Sequence, residues 1–136
     1  MSDDELTAAA RRVHEHAYCP YSNYRVGAAL RTDVGIVAAP NVENASYPLG
    51  TCAEAGAIAA MVAAGGRKIL EVVVITDGDR PGSPCGGCRQ RLFEFAAPDV
   101  VVHSLTAGSD QRLDRTIGEL LPDAFGPGDL EERETD

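Results

Sequence analysis

Two short stretches carry residue types that could do chemistry together. One reads Thr51-Cys52-Ala53-Glu54 and the other Ser83-Pro84-Cys85-Gly86-Gly87-Cys88. Thiolates bind borderline and soft divalent metals, and a carboxylate beside such a metal can carry protons. Cys85 and Cys88 are three apart, one helical turn on the same face. Cys52 supplies a third thiol two residues before Glu54. The combination reads as a zinc site with a general acid/base next to it, arranged to activate water.

The elements that must hold these groups are helix starts. The run from Cys52 to Ala64 is rich in alanine and stops at Gly65-Gly66, which predicts a helix with Thr51 as a candidate cap. It is apolar on nearly all sides and is expected to be buried. Glu54 is the only charge between Glu43 and Arg67, so lost hydration should raise its pKa toward the range of a proton shuttle. Pro84 suits the first helical position after a Ser83 cap. Three thiols at two helix N-termini would sit where the helix dipole favours thiolates.

Each feature has a plainer reading. Thr51-x-x-Glu54 also fits a capping box, in which the glutamate returns to the cap backbone. Cys-x-x-Cys fits a redox pair, half of a structural zinc knuckle, or two buried thiols. Gly86-Gly87 and the third cysteine beside a glutamate weigh against the redox pair. Structural zinc takes four protein ligands, whereas three leave a position for water. Cys19, His14, His16 and His103 could each supply a fourth, so the count stays open at this point.

Composition sets bounds. A chain of 136 residues is long enough for one domain with a real core. Its net charge is −9, from 21 acidic and 12 basic residues, and Lys68 is the only lysine. That surface repels phosphate backbones, which argues against polynucleotide partners. It fits a salty cytosol or an arginine-favouring genome. Four cysteines without a leader or a membrane-length apolar run point to a cytoplasmic protein whose thiols bind metal or react.

In chain order, Leu6, Ala9-Ala10, Val13 and Ala17 predict a first helix, capped at Asp3 or Asp4 and stopped by Pro20. His14 and His16 on it are expected to be partly exposed. Tyr18 to Tyr24 is a polar-aromatic loop that could wall a flat ring. Arg25–Thr32 and Ile36–Ala39 predict a hairpin, Glu71–Thr76 a buried strand, Cys85 to about Ala96 a helix, and Val100–His103 a strand. Leu113 to Leu121 is expected to be helical. Residues 1–126 then form one domain, and the acidic tail 127–136 is expected to be disordered. The order implies a three-layer α/β/α sandwich with a mixed, five-stranded sheet.

Several blocks in this order resemble the small zinc-dependent cytidine deaminase family, across residues 4 to 126. They are Pro20-Tyr-Ser-Asn-Tyr24-Arg-Val-Gly-Ala-Ala, Asn41-Val-Glu43-Asn-Ala-Ser-Tyr47, Cys52-Ala-Glu54, Pro84-Cys85-Gly-Gly-Cys88-Arg-Gln90 and Leu120-Leu-Pro-Asp-Ala-Phe125. The last three-cysteine pattern also fits the zinc-deaminase signature. The resemblance implies one zinc per subunit on Cys52, Cys85 and Cys88, with Glu54 shuttling protons as an activated water attacks C4 of the pyrimidine. It implies a nucleoside substrate whose ribose meets Asn41 and Glu43, with Ala53 among the substrate contacts. Tyr24 stands where the family usually has a phenylalanine against the pyrimidine. Phe125 matches a ring that reaches a neighbouring subunit's site, hence a homotetramer. The family usually has arginine directly after the catalytic glutamate, donating to the thiolates; here that position is Ala55. Either helix N-termini and Arg89 compensate, or the activity is weaker or redirected. Blasticidin S-type deamination and a non-catalytic, zinc-stabilised binding protein are the alternatives.

Overall fold

The structure is a computed structural model that describes residues 2–134, with side chains from 5 to 130. Five strands form one sheet in the order β2-β1-β3-β4-β5: β1 Val26–Thr32, β2 Gly35–Pro40, β3 Ile69–Thr76, β4 Val101–Thr106 and β5 Arg112–Thr116. β3 and β4 are parallel, and the other neighbours are antiparallel. Strands β2, β3 and β4 therefore run the same way. The register pairs Val26 with Thr76, Gly27 with Pro40 and Thr76 with Thr106, so the ends of these strands meet at one edge.

Helices cover both faces, as the α/β/α expectation requires. α1 (Ser2–His14) lays Leu6, Ala9 and Ala10 on Ala29, Val73, Ile75 and Leu105. On the other face α2 (Ala53–Ala63), α3 (Gly86–Phe93) and α4 (Ile117–Leu120) bury Ala57, Met61, Leu92 and Ile117 against Ala28, Leu30, Val72, Val74 and Val102. β3 is covered on both sides, which is why Val72 to Ile75 are all apolar.

Some expectations are corrected. Leu113 to Leu121 is not one helix: Arg112–Thr116 pairs with β4, and α4 begins only after Thr116. The break is a capping box, in which the Glu119 N–H donates to Thr116 Oγ1 and the Thr116 N–H donates to Glu119 Oε1. The tail expected to be disordered contains α5 (Pro127–Glu134), with proline at its first position and Asp129 accepting from the Gly126 N–H. His14 is buried rather than partly exposed, and its Nε2 meets Asp77 Oδ1 at 2.9 Å. The expected cap at Asp3 or Asp4 falls outside the described side chains.

Two contacts fix the edge where the strand ends gather. α1 crosses β1 at Gly27, where an added Cβ would press on the Ala10 carbonyl and stand 2.7 Å from the His14 nitrogen. Asp77, just after β3, accepts from the backbone and guanidinium of Arg25 and joins His14 across to α1. Partial burial pushes its carboxyl up, but the Arg25 and His14 hydrogen bonds outweigh this and hold it below its ordinary value.

Gly27→Ala should lower stability by about 1–3 kcal/mol, because the backbone of α1 at Ala10 and His14 cannot give way; thermal unfolding measures it. Asp77→Asn should lower stability at neutral pH by about 1–3 kcal/mol. A depressed folded pKa contributes stability above the ordinary carboxylate value, lost as pH falls through the folded value. The gap between the parent and Asp77→Asn in urea denaturation should therefore be full at pH 6 and shrink as the pH drops below about 4.

Candidate metal and active site

The loop after β2 is shaped by a short backbone ladder. Val42 exchanges hydrogen bonds with Thr51, while Tyr18 and Glu43 bracket it from the other side. Thr51 is thereby held extended and does not cap α2. Cys52 is the N-cap, with φ −68° and ψ 152°, and its side chain makes no capping bond. Cys85 occupies the same position on α3, displacing the expected Ser83. Both thiols remain available to point outward from a helix start.

The sheet brings these starts together. α2 follows β2 and α3 follows β3, and both strands end at the same edge, where ligands of open α/β sheets gather. The ligand atoms of Cys52, Cys85 and Cys88 lie within 4.8 Å of one another. Among the described residues no histidine, carboxylate or fourth cysteine joins this group. His14 is held by Asp77, and His103 lies between Glu71 and Asp114. The fourth-ligand candidates thus stay outside, leaving an open position.

Electrostatics test whether a cation belongs there. Burial pushes the Cys88 thiol up, as do the nearby charges of Glu54, Cys52 and Cys85. Cys52 is raised by desolvation too. Cys85 is lowered, first because the backbone N–H of Cys88 donates to its sulfur. Three converging sulfurs, two of which resist ionisation without a neighbouring positive charge, suit a divalent cation. A tetrahedral zinc with one exchangeable position fits this donor set.

Glu54 is 4% exposed and lies on the first turn of α2. Desolvation raises its pKa, opposed by its own backbone N–H, by Cys88 and by the charge of Arg91. It makes no capping box with Thr51.

Cys52, Ala53, Glu54 and Cys85 share a cavity of ≈ 190 Å³ with Tyr24, Val26, Asn41, Thr76 and Ser83. The Tyr24 hydroxyl approaches Gly82 so closely that a Cβ there would stand 2.6 Å away. Asn41 ties the rim: its Oδ1 accepts from the Val26 N–H and its Nδ2 donates to the Tyr24 carbonyl. Glu43 lines a separate hollow with Tyr21, Ser22, Asn44 and Tyr47. Its carboxylate accepts from the Tyr21 and Ser22 N–H groups and the Ser22 hydroxyl, which together hold its pKa down despite some desolvation. Phe125 does not enter this cavity; it is exposed at the surface, its carbonyl held by Gln90.

One expected participant is corrected and one was missed by the sequence reading. Arg89 does not face the thiols: it donates to the Pro84 and Leu120 carbonyls and to Ser83 Oγ. Arg91, one helical turn beyond Cys88, is the cation whose Nη1 reaches the Cys88 sulfur, at 3.8 Å. The i, i+3 spacing was the available signal.

The family model for the cytidine and deoxycytidylate deaminase zinc-binding region matches residues 1–104. The cytidine deaminase of Halalkalibacterium halodurans is 38% identical over 131 residues, covering 96% of this chain and 98% of that protein. That of Mycobacterium tuberculosis is 40% identical over 127 residues, covering 92% and 90%. The crystal structure of cytidine deaminase from Burkholderia pseudomallei superposes with a TM-score of 0.84 at 41% identity, covering 92% of this chain and all of the other. With the fold, the thiol cluster and these likenesses in agreement over nearly its whole length, the chain belongs to the cytidine and deoxycytidylate deaminase family.

Proposed function

We propose that the protein hydrolyses the amino group of cytidine, and of 2′-deoxycytidine, giving the uridine nucleoside and ammonia in pyrimidine salvage. The observation that carries this reading is the convergence of three thiols, with an open position, beside a buried carboxylate whose pKa burial raises. Zinc held by Cys52, Cys85 and Cys88 would supply Lewis-acid activation of the attacking water.

The remaining work falls to side chains. Glu54 takes the water proton and delivers it to N3 of the ring, which makes C4 more electrophilic. It then delivers the second water proton to the departing amino nitrogen, so that water adds and ammonia leaves with all protons accounted for. A carboxyl with a raised pKa can serve as base and acid in turn near neutral pH. Val26, Tyr24 and Ala53 border the cavity and would enclose the flat base, excluding bulk water. Asn41 keeps one amide hydrogen and one lone pair beyond its loop contacts. Glu43 is ionised and retains acceptor capacity, so the two together suit a ribose diol.

Phe125, Tyr47 and Leu49 are exposed apolar residues. Their burial by neighbouring subunits would account for them, with Phe125 reaching an adjacent site in a homotetramer. No helix among the described residues is long and apolar enough to cross a membrane; we place the protein in the cytoplasm.

Ultraviolet absorbance of the zinc-loaded protein with cytidine, at low and at molar salt, tests the reaction. Loss of cytidine absorbance with release of ammonia is expected; turnover of blasticidin S alone would move the enzyme to that substrate. Glu54→Gln should lower kcat by about 10²–10⁴-fold with zinc content and fold retained. A capping role would instead leave the rate nearly intact. Sedimentation should give four times the 14.3 kDa chain mass, and Phe125→Ala should raise KM for cytidine.

A further inference from the structure

Three thiolates and one Zn²⁺ leave a net negative charge beside Glu54, itself an acid. A negative metal centre is a weaker Lewis acid, so some donor must draw charge from the sulfurs. Ala55 offers none. Arg89 has its guanidinium committed to Pro84, Leu120 and Ser83.

Arg91 is placed differently. It lies three residues after Cys88 and four after Gly87 on α3. Helical side chains lean toward the N-terminus, so residue 91 covers the turn that carries residues 87 and 88. Its Nη1 stands 3.8 Å from the Cys88 sulfur, within reach of an N–H···S contact. Gly87 supplies the room: a Cβ there would meet that same Nη1 at 3.1 Å. Cys88 is fully buried, so the guanidinium approaches a sulfur that water does not solvate.

We propose that Arg91 is a positioning residue of the metal centre, its guanidinium laid over Gly87 to donate to Cys88 and hold positive charge against the three-thiolate cluster. The contact withdraws electron density from the sulfur, weakens its donation to zinc and leaves the metal more electrophilic. The compensating charge that residue 55 lacks thus comes from the last turn of the other cysteine-bearing helix. This rests on the reading of the thiols as a zinc site.

The test uses the full-length protein loaded with Co²⁺, whose sulfur-to-metal charge-transfer band reports thiolate electron density. In Arg91→Ala the band should move to longer wavelength, and kcat of the zinc enzyme for cytidine should fall about 10-fold or more with KM less affected. Arg91→Lys, which keeps a cation there, should restore the band toward the parent position. Gly87→Val should displace the guanidinium without removing its charge and shift the band as Arg91→Ala does. A band unmoved in both Arg91→Ala and Gly87→Val, at parental cobalt content and circular dichroism, would overturn the proposal. A parent protein that takes up neither cobalt nor zinc would overturn it together with the zinc site, and metal analysis separates those two failures.

Discussion

The constraint on which the structure turns is electrostatic: three sulfurs and a carboxylate must converge at one edge of the sheet, with Cys88 and Glu54 buried and Cys52 and Cys85 open to solvent. Like charges at such separations repel strongly where water cannot screen them. Partial and full positive charge is supplied around the cluster. Cys52 and Cys85 sit at the N-caps of α2 and α3, where the helix dipole is positive, the Cys88 amide donates to Cys85, and Arg91 reaches Cys88. A divalent cation completes the balance. The sheet topology follows from this need, because two helices can start side by side only if the strands feeding them run the same way. β2 and β3 do so with β1 between them.

That β1 intervenes has a further consequence. Its first residues lie at the same edge as the helix starts, so Val26 and, in the segment leading into it, Tyr24 line the cavity. Asp77 clamps this segment through Arg25, and Asn41 clamps it through Val26 and Tyr24. α1 presses on β1 at Gly27 and joins the same clamp through His14. The helix layer remote from the thiols thus fixes the position of the wall that faces them.

The sequence made the thiol cluster legible because the three-residue cysteine spacing is a local signal, although Pro84 falls just before the N-cap Cys85 and not at the first helical position. It made the sheet legible where strands are buried, as in β3. It misled where two local signals competed. Thr51 and Ser83 are better capping residues than cysteine by intrinsic preference, yet backbone pairing with Val42 claims Thr51, and Arg89 claims the Ser83 hydroxyl. Arg112–Thr116 carries little apolar alternation, since as an edge strand it presents Asp114 and Arg112 to His103 instead of to a core. Thr116-x-x-Glu119 did carry the signal that ends it. Arg89, the expected compensating cation, is committed to carbonyls and Ser83, and the lean of helical side chains instead brings Arg91, three residues after Cys88, to its sulfur.

Asn41 and Glu43 show why loop polars near such a centre resist a choice between structural and functional roles. Glu43 receives three donors from Tyr21 and Ser22, so the loop that borders the cavity folds around its charge. An ionised carboxylate has more acceptor positions than those donors fill, and an amide engaged at both ends still has capacity at each. The same contacts that order the loop also fix the orientation of the unused lone pairs and hydrogen. A ligand with adjacent hydroxyls would therefore meet groups already immobilised, and its binding would not bear the entropic penalty of ordering them. Structural commitment of these two residues is what would make them effective as a clamp.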